Sequence, residues 1–547
     1  LVDYSNLIGQ FVIKRKPRFK LSPYQPGKNM FKNVISERFA AAKPTTSNTP
    51  RNNTSAPAVL DFFGKVDSAR DTDISSFFAQ AVTNDYNERP ARTQNGMKSR
   101  ATSASAVLDF FGKVGSARGT DLSSFFVKAL VENDELTIRA LLWSRDIKQG
   151  AGERAQFRNL LSTLERSNPA LAGVIMHKIP QLGRWDDLFS YKDATNVLQS
   201  YSMIAQALEE GNGLCAKWMP RKGPIAVELT RYLGMSPKQY RKTLVNLTNV
   251  VETAMCAKRW DAINFSHVPS LASARYQKAF GRNAPEKYSE YIHELQKPQS
   301  EHNPKVKVNA GAVYPYDVAK SVFAGNAAVA DAQWKALPNF LNESRILPMV
   351  DVSGSMGSFR YGGQGVVQPL EVAVSLGLYV SEKTSSSFKD LFLTFSSRPE
   401  FVQVRGTLSQ RIDQMSRANW EMSTNLHSAF ESVLNLATRK RLPESEMPEV
   451  ILILSDMQFN SCARWDDSAK QMIERKFNDH GYTMPKIVFW NLSSLTSDTP
   501  VRFDSAGVCL VSGFSPAIMK SVLADDLDNF TPYNVMLKTL MNERYDL

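Results

Sequence analysis

Cysteine and histidine are scarce in this chain, with four of the first and six of the second among 547 residues. The cysteines, Cys215, Cys256, Cys462 and Cys509, are too widely spaced for a zinc pattern and outline no disulfide framework. That usage points to a reducing compartment, and a cytoplasmic protein is expected. The histidines form no His-x-x-x-His or other metal pair, and no apolar run approaches the roughly 20 residues of a membrane span. The opening, Leu-Val-Asp-Tyr-Ser, lacks the basic-then-apolar layout of a signal peptide and does not begin with Met. The loop around Ser353 and Ser355 is not Gly-x-Ser-x-Gly, so it does not match a nucleophile elbow. Gly362 to Gly365 lacks the Gly-Lys-Ser/Thr ending of a phosphate loop. A catalytic role is therefore not expected.

What is present is an ordinary globular composition, 43% hydrophobic and 22% charged, at a length that suits two to four domains. The net charge of +12 is unevenly spread. Residues 1–100 carry 16 basic and 8 acidic side chains, residues 101–345 carry 31 and 23, and residues 346–547 carry 19 and 23. Everything before residue 346 is basic and the remainder is acidic, which suits either a polyanionic partner or a solvated basic surface for the first part.

Residues 1 to about 57 are too polar to bury a core. Their basic run, Lys14, Arg15, Lys16, Arg18 and Lys20, reads as an arm that grips phosphates or as a plain tail. A duplication follows: Ala58–Ala81 recurs as Ala106–Ala129, with 19 of 24 positions identical. Two copies are too few for a solenoid. The second runs directly into helical patterning and is expected to begin the folded body. The first is expected either to pack as an extra helical unit or to occupy the second copy's groove on a neighbouring molecule. Residues 1–104 are thus read as a largely disordered basic extension.

From about 105 to 345 apolar residues recur at helical spacing, as in Phe157, Leu160, Leu161 and Leu164, or Tyr240, Leu244, Leu247 and Val251. A HEAT-like α-helical repeat, solenoid or ring, is expected. Between Lys217 and Arg259 lie nine basic residues: Lys217, Arg221, Lys222, Arg231, Lys238, Arg241, Lys242, Lys258 and Arg259. Only Glu228 and Glu252 oppose them, and Trp218, Tyr232 and Tyr240 lie among them, with Trp260 next. Basic side chains neutralise phosphates and exposed aromatics stack on unpaired bases. Alternatively the aromatics are core, which the spacing favours for Tyr240.

Residues 346–547 alternate strand and helix patterns, with strands expected at 346–350, 390–395, 450–454, 486–491 and 508–512. This predicts a mostly parallel, doubly wound sheet with helices on both faces. The first strand ends at Asp351, followed by Ser353 and Ser355. Another ends at Ser455-Asp456, and Thr424 opens a helical pattern between them. A doubly wound sheet gathers such loops on one edge. Carboxylates and hydroxyls there are hard oxygen ligands for a divalent cation.

Asp351, Ser353, Ser355, Thr424 and Asp456 together resemble the metal-ion-dependent adhesion site of von Willebrand factor A domains. The resemblance implies a divalent ion, usually Mg²⁺, held by hydroxyls and a carboxylate, with one position open for an acidic partner. Arg145 to Arg154, with Gly150-Ala-Gly-Glu-Arg, and Gly183-Arg-Trp-Asp-Asp-Leu188 resemble landmarks of TROVE-type proteins, the Ro autoantigen family and its relatives. That resemblance covers about residues 105–547. It implies a helical ring closed by an A domain, binding small structured RNAs outside and RNA ends in its central hole. The expected protein is therefore an RNA-binding one, with Lys217, Trp218, Arg221, Lys222, Arg231, Lys238, Arg241, Lys242, Lys258 and Arg259 as candidate RNA contacts. The alternative is a metal-dependent protein-interaction module in which the basic body is a scaffold.

Overall fold

The computed structural model describes residues 90–92, 98–100 and 102–547, apart from short stretches of which the longest are 358–366, 417–425, 458–466, 494–501 and 524–529. The expectations for the basic arm and for the first copy of the duplication lie outside the described residues. A short antiparallel pair, β1 (Pro90–Arg92) with β2 (Lys98–Arg100), precedes the folded body. Polar linker sequence gave no sign of it.

The second copy opens the body as expected. Ser105 caps helix α1 (Ala106–Val114) by accepting from the Leu108 amide, and every residue of α1 is buried. Even Asp109 is enclosed, and its carboxylate accepts from the Thr102 hydroxyl and the Ser103 amide. Burial is the stronger influence on Asp109 and raises its pKa; those hydrogen bonds oppose it. Helices α2 (Ser123–Glu132) and α3 (Asp134–Arg145) follow, the latter capped by Asn133. Phe110 meets Phe126 and Phe111 meets Trp143, with ring centroids 5.4 and 4.6 Å apart. These contacts account for the Phe-Phe pair in the repeated sequence.

The body continues through α4 (Ala155–Ser167), α5 (Ala194–Glu209), α6 (Gly213–Trp218), α7 (Pro224–Tyr232) and α8 (Pro237–Leu247). It ends in α9 (Ser270–Asn283), α10 (Pro285–Gln296), α11 (Pro315–Phe323) and α12 (Ala327–Lys335). Helices α9 and α10 enclose a separate aromatic cluster of Phe265, Phe280, Tyr288 and Tyr291.

The last third is a six-stranded sheet ordered β5-β4-β3-β6-β7-β8. Its strands are β3 (Ile346–Asp351), β4 (Leu391–Phe395), β5 (Phe401–Gln403), β6 (Val450–Ser455), β7 (Lys486–Asn491) and β8 (Val508–Ser512). All pairings are parallel except β4 with β5, a three-residue edge strand too short to stand out in the sequence. The continuous apolar runs of β3 and β6 are buried on both faces. One face, with Val350, Leu452, Leu454, Val488 and Trp490, joins the core of the helical body and α13 (Pro369–Lys383). The other, with Met349, Ile451, Ile453 and Phe489, is covered by α15 (Leu426–Lys440) and α16 (Asp467–Asp479). Helix α14 (Leu408–Ser416) lies between α13 and α15 in the chain, and α17 (Pro532–Leu540) follows β8.

The helical body touches the sheet domain at both of its ends. At its start, α1 lies against the β8 edge, and Arg139 of α3 donates to the Leu540 carbonyl and pairs with Asp546. At its finish, Trp334 donates to Glu382 of α13 at 2.7 Å, and Asp331 accepts from the Leu408 amide at 2.9 Å. Because these ties use nothing before Thr102, a protein lacking residues 1–100 is expected to melt cooperatively at the temperature of the full chain. Circular dichroism checks this; loss of the cooperative transition would place the extension in the core.

Candidate functional site

Sheet order locates the first site. Successive strands run outward from β3 to β4 on one side, and β6 begins the other half, so the carboxyl ends of β3 and β6 flank the point where strand order reverses. Loops diverge there and leave a crevice. Asp351 ends β3, and Asp456 follows β6 directly. Both are buried.

The Asp351 carboxylate is held by neutral donors. Its Oδ1 accepts from the Ser353 amide at 2.9 Å and its Oδ2 from the Ser455 hydroxyl at 2.5 Å. Ser455 in turn accepts from the Met457 amide at 3.0 Å, which fixes the hydroxyl's direction. Burial, and then the Asp456 charge, push the Asp351 carboxyl up to about 6 against these hydrogen bonds. Ser353 and Ser355 bring their hydroxyl oxygens within 3.0 Å of each other at the mouth of the crevice. Ser353 is buried and Ser355 exposed, so the pair spans from interior to solvent. Thr424 lies outside the described residues. The structure thus brings Asp351, Ser353, Ser355 and Asp456 to one sheet edge. Ser455 has an anchoring role that the sequence reading did not assign.

These groups fit a hard divalent cation. Two acidic side chains stand together in a buried setting, and among the described residues Asp351 is held by neutral hydrogen-bond donors, which compensate its anionic form poorly. A cation there would supply that compensation. His427 sits on the first turn of α15, with Nδ1 3.6 Å from Glu431, and Lys476 also pairs with Glu431. It is a helix-face residue.

The second candidate site is the basic stretch. Arg221, Lys222, Arg231, Lys238, Arg241, Lys242, Lys258 and Arg259 are exposed, while Lys217 and Trp218 are half-buried. They come from α6, α7, α8 and the connections after them. Tyr240 is core: it is 1% exposed and its hydroxyl donates to the Pro220 carbonyl. Trp260 packs edge-on against Phe280. Trp218 carries the Arg184 guanidinium over its ring, 3.3 Å from the centroid. Arg184 also makes a two-pronged contact with Asp186, at 2.9 and 2.8 Å. Arg184 was not among the predicted contacts because it lies some 34 residues before Trp218 in sequence (218 − 184).

The two helical landmarks hold the body together through buried ion pairs. Arg145 donates to Asp187 at 2.7 Å, with both side chains inaccessible to solvent or nearly so. Arg158 reaches the other Asp187 oxygen at 2.7 Å. The neighbouring Asp146 faces the other way and receives Arg544 at 2.8 and 2.9 Å and the Tyr545 hydroxyl at 3.1 Å. One dipeptide therefore ties the helical body to itself and to the chain's last residues. Gly183 is required by close approach, since a Cβ there would lie 2.6 Å from Arg145 Nε and 2.7 Å from Asp187 Oδ2.

Comparison with known proteins gives two adjoining family matches. The family described as Domain of unknown function (DUF2828) matches residues 190–347, and Domain of unknown function (DUF7788) matches residues 346–539. They meet where β3 begins. "Uncharacterized protein L728" of Acanthamoeba polyphaga mimivirus is 31% identical over 360 residues, and the match spans 60% of this chain and 60% of the viral protein. Among solved structures, the Deinococcus radiodurans RO (RSR) protein is similar at 14% identity and a TM-score of 0.43, over 80% of this chain and 99% of that one.

Proposed function

We propose that the chain binds RNA through the basic face of its helical body and holds a divalent cation, Mg²⁺ by ligand type, at the β3–β6 crevice. The observation that carries the RNA reading is the exposure of eight cationic side chains between Arg221 and Arg259, on α7, α8 and the connections beside them, together with the Arg184–Trp218 stack. Phosphates are neutralised by such side chains whatever the base sequence, and a half-exposed ring adds a stacking surface for unpaired bases. Small non-coding RNAs and RNA ends are the ligands that the resemblance to TROVE-type proteins implies. The motif resemblance to TROVE-type proteins points the same way.

At the crevice, Ser353, Ser355, Thr424 and the acidic pair would hold the ion, which when bound supplies a Lewis-acidic coordination position for a carboxylate or phosphate. The protein's own contribution is to orient Asp351 through Ser353 and Ser455. We assign no catalytic group. A von Willebrand-type A domain closing a helical ring is the architecture this reading implies.

Filter binding over a range of salt concentrations tests the RNA assignment. Each phosphate contact releases condensed counterions, so affinity should fall steeply with salt. Reversing Arg221 and Lys222 to Glu should weaken binding to unrelated RNAs alike and flatten the slope by about two, one per lost contact. Unchanged affinity and slope in a folded double variant would return this face to plain solvated surface. Mg²⁺-dependent capture of an acidic protein without RNA binding would instead favour the interaction-module reading.

A further inference from the structure

The duplication poses a question that the fold answers. Two segments of one chain share 19 of 24 residues, yet α1, from the second, lies against the sheet edge. The seat for α1 is built by strand ends. Asn491, at the end of β7, donates its side-chain amide to the Gly112 carbonyl at 3.1 Å. Ser512, at the end of β8, donates its hydroxyl to the Phe111 carbonyl at 2.9 Å and accepts from the Gly115 amide at 3.0 Å. The carbonyls that a helix leaves unsatisfied at its C-terminus are thus capped by the sheet.

Gly115 is where this seat is tightest. A Cβ on it would lie 2.4 Å from the Ser512 carbonyl oxygen, 2.7 Å from the Ser512 carbonyl carbon and 3.0 Å from Gly513 Cα. All three atoms are backbone at the end of a buried strand, so no side chain can swing aside. In the first copy the matching residue is Asp67. It would add that Cβ and a carboxylate facing a carbonyl, at a helix C-terminus where the dipole disfavours negative charge. The other contact with the edge is the same in both copies, since Gly112 corresponds to Gly64. The remaining differences that fall on described residues are milder: Leu122 against Ile74, Val127 against Ala79 and Lys128 against Gln80.

We propose that the β7–β8 seat is selective between the two copies: it accepts 106–129 and rejects 58–81, and Gly115 against Asp67 is the discriminating position. The consequence is assembly control. A seat that accepted both copies would let the first copy of one molecule insert into the next, a head-to-tail contact that generates open chains instead of a closed unit. On this reading Asp67 closes that route.

Hydrogen exchange on the full chain, followed peptide by peptide, tests this. In the unaltered protein, amides 106–115 should be protected and 58–67 should gain nothing from the seat. Gly115→Asp should lower protection at 106–115 by roughly tenfold or more, as the seat opens. Adding Asp67→Gly to that variant should restore the protected seat and move the protection to 58–67, a transfer that a merely damaged structure would not show. Should Gly115→Asp fail to fold, Asp67→Gly in the otherwise unaltered chain still decides. It should divide protection between the two segments and let differently labelled molecules form mixed species on incubation. The proposal is overturned if Gly115→Asp keeps native protection at 106–115, if the double variant stays as open as Gly115→Asp alone, or if Asp67→Gly gives 58–67 no protection.

Discussion

Asp187→Ala should be among the most damaging single substitutions in the helical body, lowering stability by about 3–5 kcal/mol. The carboxylate is fully buried and satisfies three donors on three segments, Arg145 Nε, the Arg184 amide and Arg158 Nε, with Arg158 Nη2 also in ion-pair distance. Its loss leaves the Arg145 guanidinium, 2% exposed, without its buried counter-charge. Replacing both Arg145 and Asp187 with apolar residues of similar volume should cost less than Asp187→Ala alone, because a buried pair roughly offsets its own desolvation. Urea unfolding of the single and double variants checks this. A double variant at least as unstable as the single one would show that the pair does more than balance charge.

Asp351→Asn should have the opposite sign in metal-free protein and abolish the response to metal. A carboxyl whose folded pKa is raised, here from 3.8 to about 6, stays more protonated in the folded state than in the unfolded one. Its stabilising contribution is full below the unfolded value and is lost as pH rises through the folded one, so metal-free stability should fall between about pH 4 and 6. The linked cost at pH 7 is about 3 kcal/mol. Asparagine removes that cost: its oxygen still accepts from the Ser353 amide, and the Ser455 oxygen, which already accepts from the Met457 amide, has a second lone pair for the new side-chain amide. The variant should therefore melt higher than the parent without metal at pH 7, and its stability should be flat where the parent's declines. Millimolar Mg²⁺ should raise the melting temperature of the parent and leave the variant unmoved, because ion binding to the folded state adds stability only where the ion binds. Equal Mg²⁺ shifts in both proteins would remove Asp351 from the cation site.

How much of this was legible beforehand depends on how local the signal is. Strands β3, β6, β7 and β8 were readable because buried parallel strands are uninterrupted apolar runs, and the observed limits differ from the expected ones by a residue at most. Strand β5 was not, because Phe-Val-Gln is too short for any periodicity. The crevice was legible from the two loop motifs that follow β3 and β6, since topology gathers the ends of parallel strands. Its anchoring Ser455 was passed over because a serine after an apolar run reads as the start of a turn. The Arg145–Asp187 and Asp146–Arg544 pairs span 42 and 398 residues, and no spacing rule reaches that far. Arg184 on Trp218 was hidden for the same reason. The helical landmarks were visible as motifs, but only the fold gave them a physical task.

The seat of α1 has a kinetic side. Gly115 and the Ser512 hydroxyl that caps its helix are separated by 397 residues. At synthesis rates of about 5–20 residues per second, α1 emerges roughly 20–80 s before the strand it belongs against. For that interval Phe110 and Phe111, both fully enclosed in the finished fold, have no sheet edge to complete their surroundings. Completion of the body is thus tied to arrival of the last fifty residues, which supply β8, Arg544 and Tyr545 together. A ribosome-bound chain stalled before Val508 should accordingly remain a substrate for chaperones and proteases, however much of its helical sequence has already been made.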